Sequence, residues 1–127
     1  MIFRIPVENL PNINNQLTSK DLFSAFKMQL AKDFEQSEFP ADFIDTLEPD
    51  YASIHKKIMS ELLRNEAKAN SNLMRLLNRV DISEVQLKKY LSENKNENRF
   101  SVIAELIIKR TLQKVVIKQH YRKNESS

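Results

Sequence analysis

The chain has 127 residues, of which 41% are hydrophobic and 29% are charged, and its formal net charge is +3. This length and composition suit one globular domain and are too apolar for a disordered chain. The sequence contains no glycine and no cysteine, which excludes glycine-rich phosphate-binding loops, the GxSxG nucleophile elbow, disulfides and thiolate metal sites.

Besides Met1, residues 1–17 combine seven apolar side chains with Pro6, Pro11 and four asparagines. Proline is excluded from helix interiors, and asparagine prefers turns. We therefore predict an extended arm over 1–17 that packs on its own subunit, in preference to a neighbouring one. Neither a signal peptide nor an apolar run long enough to span a bilayer is recognisable, so we expect a cytoplasmic protein without membrane contact.

Two helices are predicted after the arm. The first covers 20–36, with Thr18 or Ser19 as its N-cap and four apolar side chains at helical spacing. Pro40 suits the first turn of a second, short helix over 40–47. We expect the short helix to bury the large apolar residues around it, namely Phe39, Phe43, Ile44 and Leu47.

A long helix is predicted over 50–80, opened by Pro49. Its apolar seam is interrupted by a polar run over 64–72, for which three interpretations stay open. The helix bends or breaks near Asn70, it continues with a polar turn outside the core, or Asn70 sets the register of a coiled-coil seam. The continuous helix carries slightly more weight than the break.

The last two helices complete an all-α prediction. Ser83 and Gln86 have the spacing of a capping box, which opens a helix that ends in the polar loop 93–99. The final helix, 101–122, is apolar almost all round in its first half and should be the central element. We expect a compact four- to five-helix bundle with an extended N-terminal arm, a body over 18–123 and a disordered tail over 124–127.

Candidate catalytic and metal-binding residues are few. His55 could join Glu48 or Asp50 in a mixed metal site, but a surface histidine on a helix is the favoured interpretation. Asp42 and Asp45 lie three residues apart on the short helix, as expected for a solvated face. We therefore predict no catalytic, cofactor-binding or metal-binding residues, no cofactor and no enzymatic activity.

Charge is distributed unevenly along the sequence. Residues 1–50 carry a net charge of −5, including seven acids and no base over 33–50, whereas residues 51–127 carry +8. On the last helix, four bases recur every four residues and form what we call the basic stripe: Arg110, Lys114, Lys118 and Arg122. Ile108, Leu112 and Val115 lie on a different side, so replacing the stripe by glutamine should leave the fold intact.

Three interpretations of the basic stripe compete. It is a solvated face, it pairs with the acidic segment 33–50 within or between subunits, or it contacts nucleic-acid phosphates. The solvated face is favoured. For the whole chain we predict a non-enzymatic interaction module, an adaptor or small structural subunit, that acts through protein–protein contacts and forms a homodimer. The alternative is a nucleic-acid-binding accessory protein that uses the basic stripe.

Overall fold

The computed structural model describes the backbone of residues 13–65 and 69–125, and the side chains of 13–65 and 72–121. Its architecture is all-α, as predicted, and the described residues contain no strand. In these ranges, six α-helices and one 3-10 helix follow each other: α1 (Ile13–Leu17), α2 (Lys20–Gln36), the 3-10 helix (Asp42–Thr46), α3 (Tyr51–Arg64), α4 (Ala69–Arg79), α5 (Glu84–Glu93) and α6 (Arg99–Glu125).

Helix α2 has the predicted bounds. The Ser19 hydroxyl accepts a hydrogen bond from the Leu22 amide at 3.3 Å and caps the N-terminus. Phe26, Leu30 and Phe34 are fully buried on the inner face. The predicted spacing of apolar residues therefore forms the packing surface of this helix.

Both α2 and α4 are followed, two residues after their last helical residue, by a residue with left-handed backbone geometry. Glu38 has φ 65° and Asp81 has φ 62°. After each, the next amide reaches back five residues, from Phe39 to the Phe34 carbonyl and from Ile82 to the Leu77 carbonyl, both at 2.9 Å. This is the Schellman arrangement, in which glycine usually supplies the left-handed residue.

The predicted extended arm is wrong for residues 13–17, which form α1, and residues 1–12 lie outside the described part. Leu17 is fully buried, and the Asn14 side chain accepts a hydrogen bond from the Tyr51 amide at 3.0 Å. Helix α1 thus packs on α2 and α3 of its own subunit. Asparagine stabilises the fold here by capping the first turn of another helix.

The predicted helix over 40–47 is a 3-10 helix with narrower bounds. Phe39, Ile44 and Leu47 are buried as expected, and Phe43 is half-buried. Pro40 precedes this helix. The second proline, Pro49, likewise precedes Asp50, whose carboxylate caps α3 by accepting from the Ser53 amide at 2.9 Å.

The continuous helix over 50–80 is wrong, because α3 ends at Arg64 and α4 begins at Ala69. The Asn65 side chain donates to the Glu61 carbonyl at 2.7 Å and satisfies one of the free carbonyls at the C-terminus of α3. The break therefore precedes Asn70, which lies in the first turn of α4. This division and α1 raise the number of α-helices to six.

Helix α6 is the central element and contacts α2, α3 and α5. The side chains of its first half are buried almost all round, as predicted, and the buried set includes Ile103, Ala104, Ile107 and Ile108. It also runs further than expected. Asn124 and Glu125 are helical, so the predicted disordered tail 124–127 is wrong for these two residues.

The capping box of α5 is present as predicted. Ser83 accepts from the Gln86 amide at 3.1 Å, and the Gln86 side chain accepts from the Ser83 amide at 3.2 Å. This helix lies on the outside of the bundle, since none of its residues is fully buried.

Candidate interaction surface on α2 and α6

Arg110, the first residue of the basic stripe, belongs to the interior and is only 7% exposed. Its guanidinium donates to the Gln113 side chain at 2.7 Å and to the Asp81 carbonyl at 3.0 Å. Asp81 is the left-handed residue in the turn after α4. Arg110 therefore ties the turn between α4 and α5 to the central helix.

Lys114, one turn further along α6, also has partners inside the molecule. Its ammonium donates to the Arg79 carbonyl at 2.8 Å. Arg79 is the last residue of α4, so a cation lies at the negative end of that helix dipole. Lys114 Nζ also lies 3.9 Å from a carboxylate oxygen of Asp33.

Asp33 carries a buried carboxylate at the junction of α2, α4 and α6. The residue is 1% exposed, and Gln29 donates to both of its oxygens at 3.2 Å. Arg79 Nε lies 3.5 Å from Oδ1. Two cations and one amide therefore compensate the buried negative charge, as burial of a carboxylate requires.

The contact between Asp33 and Lys114 lies within one subunit and joins one member of the acidic segment to one member of the basic stripe. The other acids over 33–50 are exposed: Glu35, Glu38, Asp42, Asp45, Glu48 and Asp50. The interpretation that the basic stripe pairs with the acidic segment 33–50 therefore holds for one contact inside the subunit. It does not hold for the acidic segment as a whole.

The other two residues of the basic stripe differ from Arg110 and Lys114 in their surroundings. Lys118 is exposed, and Arg122 belongs to α6 but its side chain lies outside the described set. The four residues thus do not present one uniform surface. Because Arg110 and Lys114 make internal contacts, replacing all four by glutamine is expected to destabilise the fold, which corrects the expectation from the sequence.

A groove of about 280 Å³ separates α2 from α6 beside Lys118. Ala25, Met28 and Val115 give it an apolar lining, and Lys32 and Lys118 contribute ammonium groups. Met28 is 72% exposed, and its side chain extends the apolar lining of the groove to the surface. We call these five residues the α2/α6 groove.

The α2/α6 groove was not predicted, although its signal is present in the sequence. Met28 falls on the side of the predicted helix opposite Phe26, Leu30 and Phe34. A large apolar residue on the outer face of an amphipathic helix departs from the polar pattern of that face, and it points to a contact where further apolar residues adjoin it. The contribution of Val115 could not be predicted, because it depends on how α6 packs against α2.

His55 is half-buried between α3 and α6, so the predicted surface position is wrong. Its Nε2 lies 2.8 Å from the Ser101 carbonyl oxygen and 3.3 Å from the Ser101 hydroxyl. Asp50, its proposed co-ligand, caps α3 instead. The described residues hold no group of three or more side chains that could bind a metal ion.

The ring of Tyr51 lies beside that of His55, with 5.7 Å between ring centroids and 33° between the ring planes. Burial raises the pKa of its phenol to about 12, and the negative charges of Glu105 and Glu97 add to this shift. The phenol of Tyr51 is therefore protonated at neutral pH, with its ring packed against the core.

Within the described ranges, no helix is long and apolar enough to cross a membrane. Compared with known proteins, the chain matches no family model, and neither a curated protein nor a solved structure is significantly similar to it.

Proposed function

We propose that this protein is a non-enzymatic helical interaction module that acts through protein–protein contacts. The observation that carries the proposal is the α2/α6 groove, with Met28 72% exposed at its edge. An apolar floor flanked by lysines suits a protein segment that brings apolar side chains and carboxylates together. The proposal includes a cytoplasmic location, with which the cysteine-free sequence is compatible.

The geometry of the basic stripe favours a protein partner over nucleic acid. Arg110 and Lys114 are engaged with Asp81, Arg79 and Asp33. A cation already bonded inside the molecule releases no phosphate counterions when DNA approaches. At most two members of the stripe are left for phosphates, so the salt slope of duplex binding would be about −1.8 instead of about −3.6.

Site-specific photo-crosslinking tests the proposal. Met28 is replaced by a benzophenone-bearing amino acid, and the variant is irradiated in an extract of the native cell, with and without nuclease. The matched control carries the same group at Val85, an equally exposed apolar position on α5, 78% exposed and not part of the groove. Crosslinked proteins are identified by mass spectrometry.

We expect position 28 to crosslink a defined protein that position 85 does not, in equal yield with and without nuclease. Loss of the product after nuclease treatment would instead support the nucleic-acid-binding alternative. Equal, nonspecific products from both positions would overturn the proposal that the groove is a protein-binding surface.

A further inference from the structure

The exposed face of α2 carries Met28 and Ser24 in its middle and charged residues towards its ends. Asp21, Ser24, Met28, Lys32 and Glu35 are exposed, opposite the buried Phe26, Leu30 and Phe34. Ala25, a small half-buried residue, lies one turn before Met28 in the α2/α6 groove. A large side chain thus projects beside a space that a similar side chain could fill.

The positions on this face are symmetric about one point. Ala25 and Met28 have their midpoint between Phe26 and Lys27, and Asp21 and Lys32 have the same midpoint. If a second α2 lies antiparallel on the first about that point, Met28 faces the partner's Ala25. Asp21 then faces the partner's Lys32, and each of these contacts occurs twice.

We propose that the α2/α6 groove receives α2 of a second copy of this chain, in an antiparallel two-fold contact. Met28 of each copy packs over the partner's Ala25 in the groove, and ion pairs between Asp21 and Lys32 flank this apolar centre. The inference rests on the proposed function, because it assigns a partner to the same groove.

A two-fold contact requires a patch that is complementary to itself. In the antiparallel orientation the exposed face of α2 meets this requirement, because Asp21 and Lys32 lie at equal distances from the centre of the contact and carry opposite charges. In the parallel orientation each charge would face its own copy, so like charges would meet. An apolar centre with a charged rim is also the usual anatomy of a protein interface. The contact is small and involves mainly one helix from each copy, so we expect reversible, concentration-dependent association.

Charge-swap variants of the purified chain test the contact by sedimentation equilibrium. We expect the wild-type mass to rise from 14.9 kDa towards twice that value as the concentration approaches about 100 µM. Asp21→Lys and Lys32→Glu each place like charges at both ends of the contact, and each is expected to weaken dimerisation at least about tenfold. An equimolar mixture of the two variants pairs opposite charges again and should restore association.

Two charge changes elsewhere serve as controls. Asp45→Lys on the 3-10 helix and Lys88→Glu on α5 alter exposed residues outside the groove and should dimerise like wild type. Recovery in the mixture would exclude misfolding as the cause of dissociation, because the same two variants are present. Circular dichroism melting of each variant checks the fold independently.

Three results would overturn the two-fold contact: a monomeric wild type at about 100 µM, single variants that dimerise like wild type, or a mixture that fails to associate. Each concerns the purified chain alone. A protein crosslinked specifically from position 28 in the extract would still support the proposed function if the two-fold contact failed.

Discussion

Left-handed backbone at Glu38 and Asp81 follows from ending two helices tightly in a chain without glycine. A side chain in this region contacts the following carbonyl and costs about 1–2 kcal/mol, although aspartate tolerates it better than most residues. The structure maintains both positions because Phe39 and Ile82, which follow them, are buried. These residues therefore hold local strain that the core offsets.

We expect Asp81→Gly to raise the free energy of unfolding by about 1 kcal/mol, because glycine adopts positive φ without the Cβ contact. The carbonyl that accepts from Arg110 is retained in this variant. Urea unfolding measures the change. Asp81→Ala is the matched control and should destabilise, because alanine keeps the Cβ and lacks the polar side chain that eases this geometry. Equal stability of the two variants would contradict the explanation.

Tyr51 gives the fold a specific response to alkaline pH. Its pKa is 10.0 when unfolded and about 12 in the folded chain, mainly because of burial. Folding thus favours the protonated phenol, and this contribution to stability is complete below pH 10 and falls as pH rises from about 10 to about 12.

A spectrophotometric titration should reveal this phenol. The difference in phenolate absorbance between wild type and Tyr51→Phe is expected to show a midpoint near pH 12. Between about pH 10 and 12 the unfolding free energy of wild type should fall faster than that of Tyr51→Phe. A midpoint near 10 would contradict the burial of this side chain.

At the scale of elements, the cluster around Asp33 joins α2, α4 and α6 through polar contacts. Lys114 contributes two contacts to this cluster. Its ammonium group donates to the Arg79 carbonyl at the end of α4 and lies close to the Asp33 carboxylate on α2. Lys118, one turn away, is an exposed residue of the same type on the same helix. Comparing variants of Lys114 and Lys118 therefore separates the effect of the internal contacts on stability from the effect of removing a positive charge from α6.

We expect Lys114→Gln to lower the free energy of unfolding by about 1–2 kcal/mol, because it removes a charged hydrogen bond and leaves Asp33 with one cation fewer. The value is moderate because the Lys114 side chain is partly exposed. Lys118→Gln should change stability by less than about 0.5 kcal/mol. Thermal or urea unfolding of both variants checks this, and equal effects would show that the internal contacts of Lys114 do not matter.

Local signals in the sequence predicted several elements correctly. Ser19 and the pair of Ser83 and Gln86 were identified as caps because their hydrogen bonds join residues three apart. The end of α3 at Arg64 was not predicted. Asn65 is neither glycine nor proline, and the polar run over 64–72 was also compatible with a continuous helix that has a solvated turn. Burial of Arg110 was also missed, since the carbonyl it binds lies 29 residues away.

For the whole molecule, composition and periodicity predicted the all-α class and the central position of α6, because burial all round a helix is visible in its residues. The candidate surface was harder to predict. It arises where one helix meets another, and residues far apart in the sequence, such as Asp33 on α2 and Lys114 on α6, meet there. The basic stripe predicted from spacing alone therefore joined residues with different surroundings.

The position of α6 along the chain has a consequence for biosynthesis. The core helix is made last among the described elements, and α2 and α3, which pack on it, are made much earlier. At about 5–20 residues per second, roughly 3–12 s pass between the synthesis of Arg64 and that of Glu125. Throughout that interval the apolar residues of α2 and α3 have no α6 to cover them. Closure of the core therefore requires α6 to have emerged from the ribosome, and until then these segments are open to chaperones and to other nascent chains.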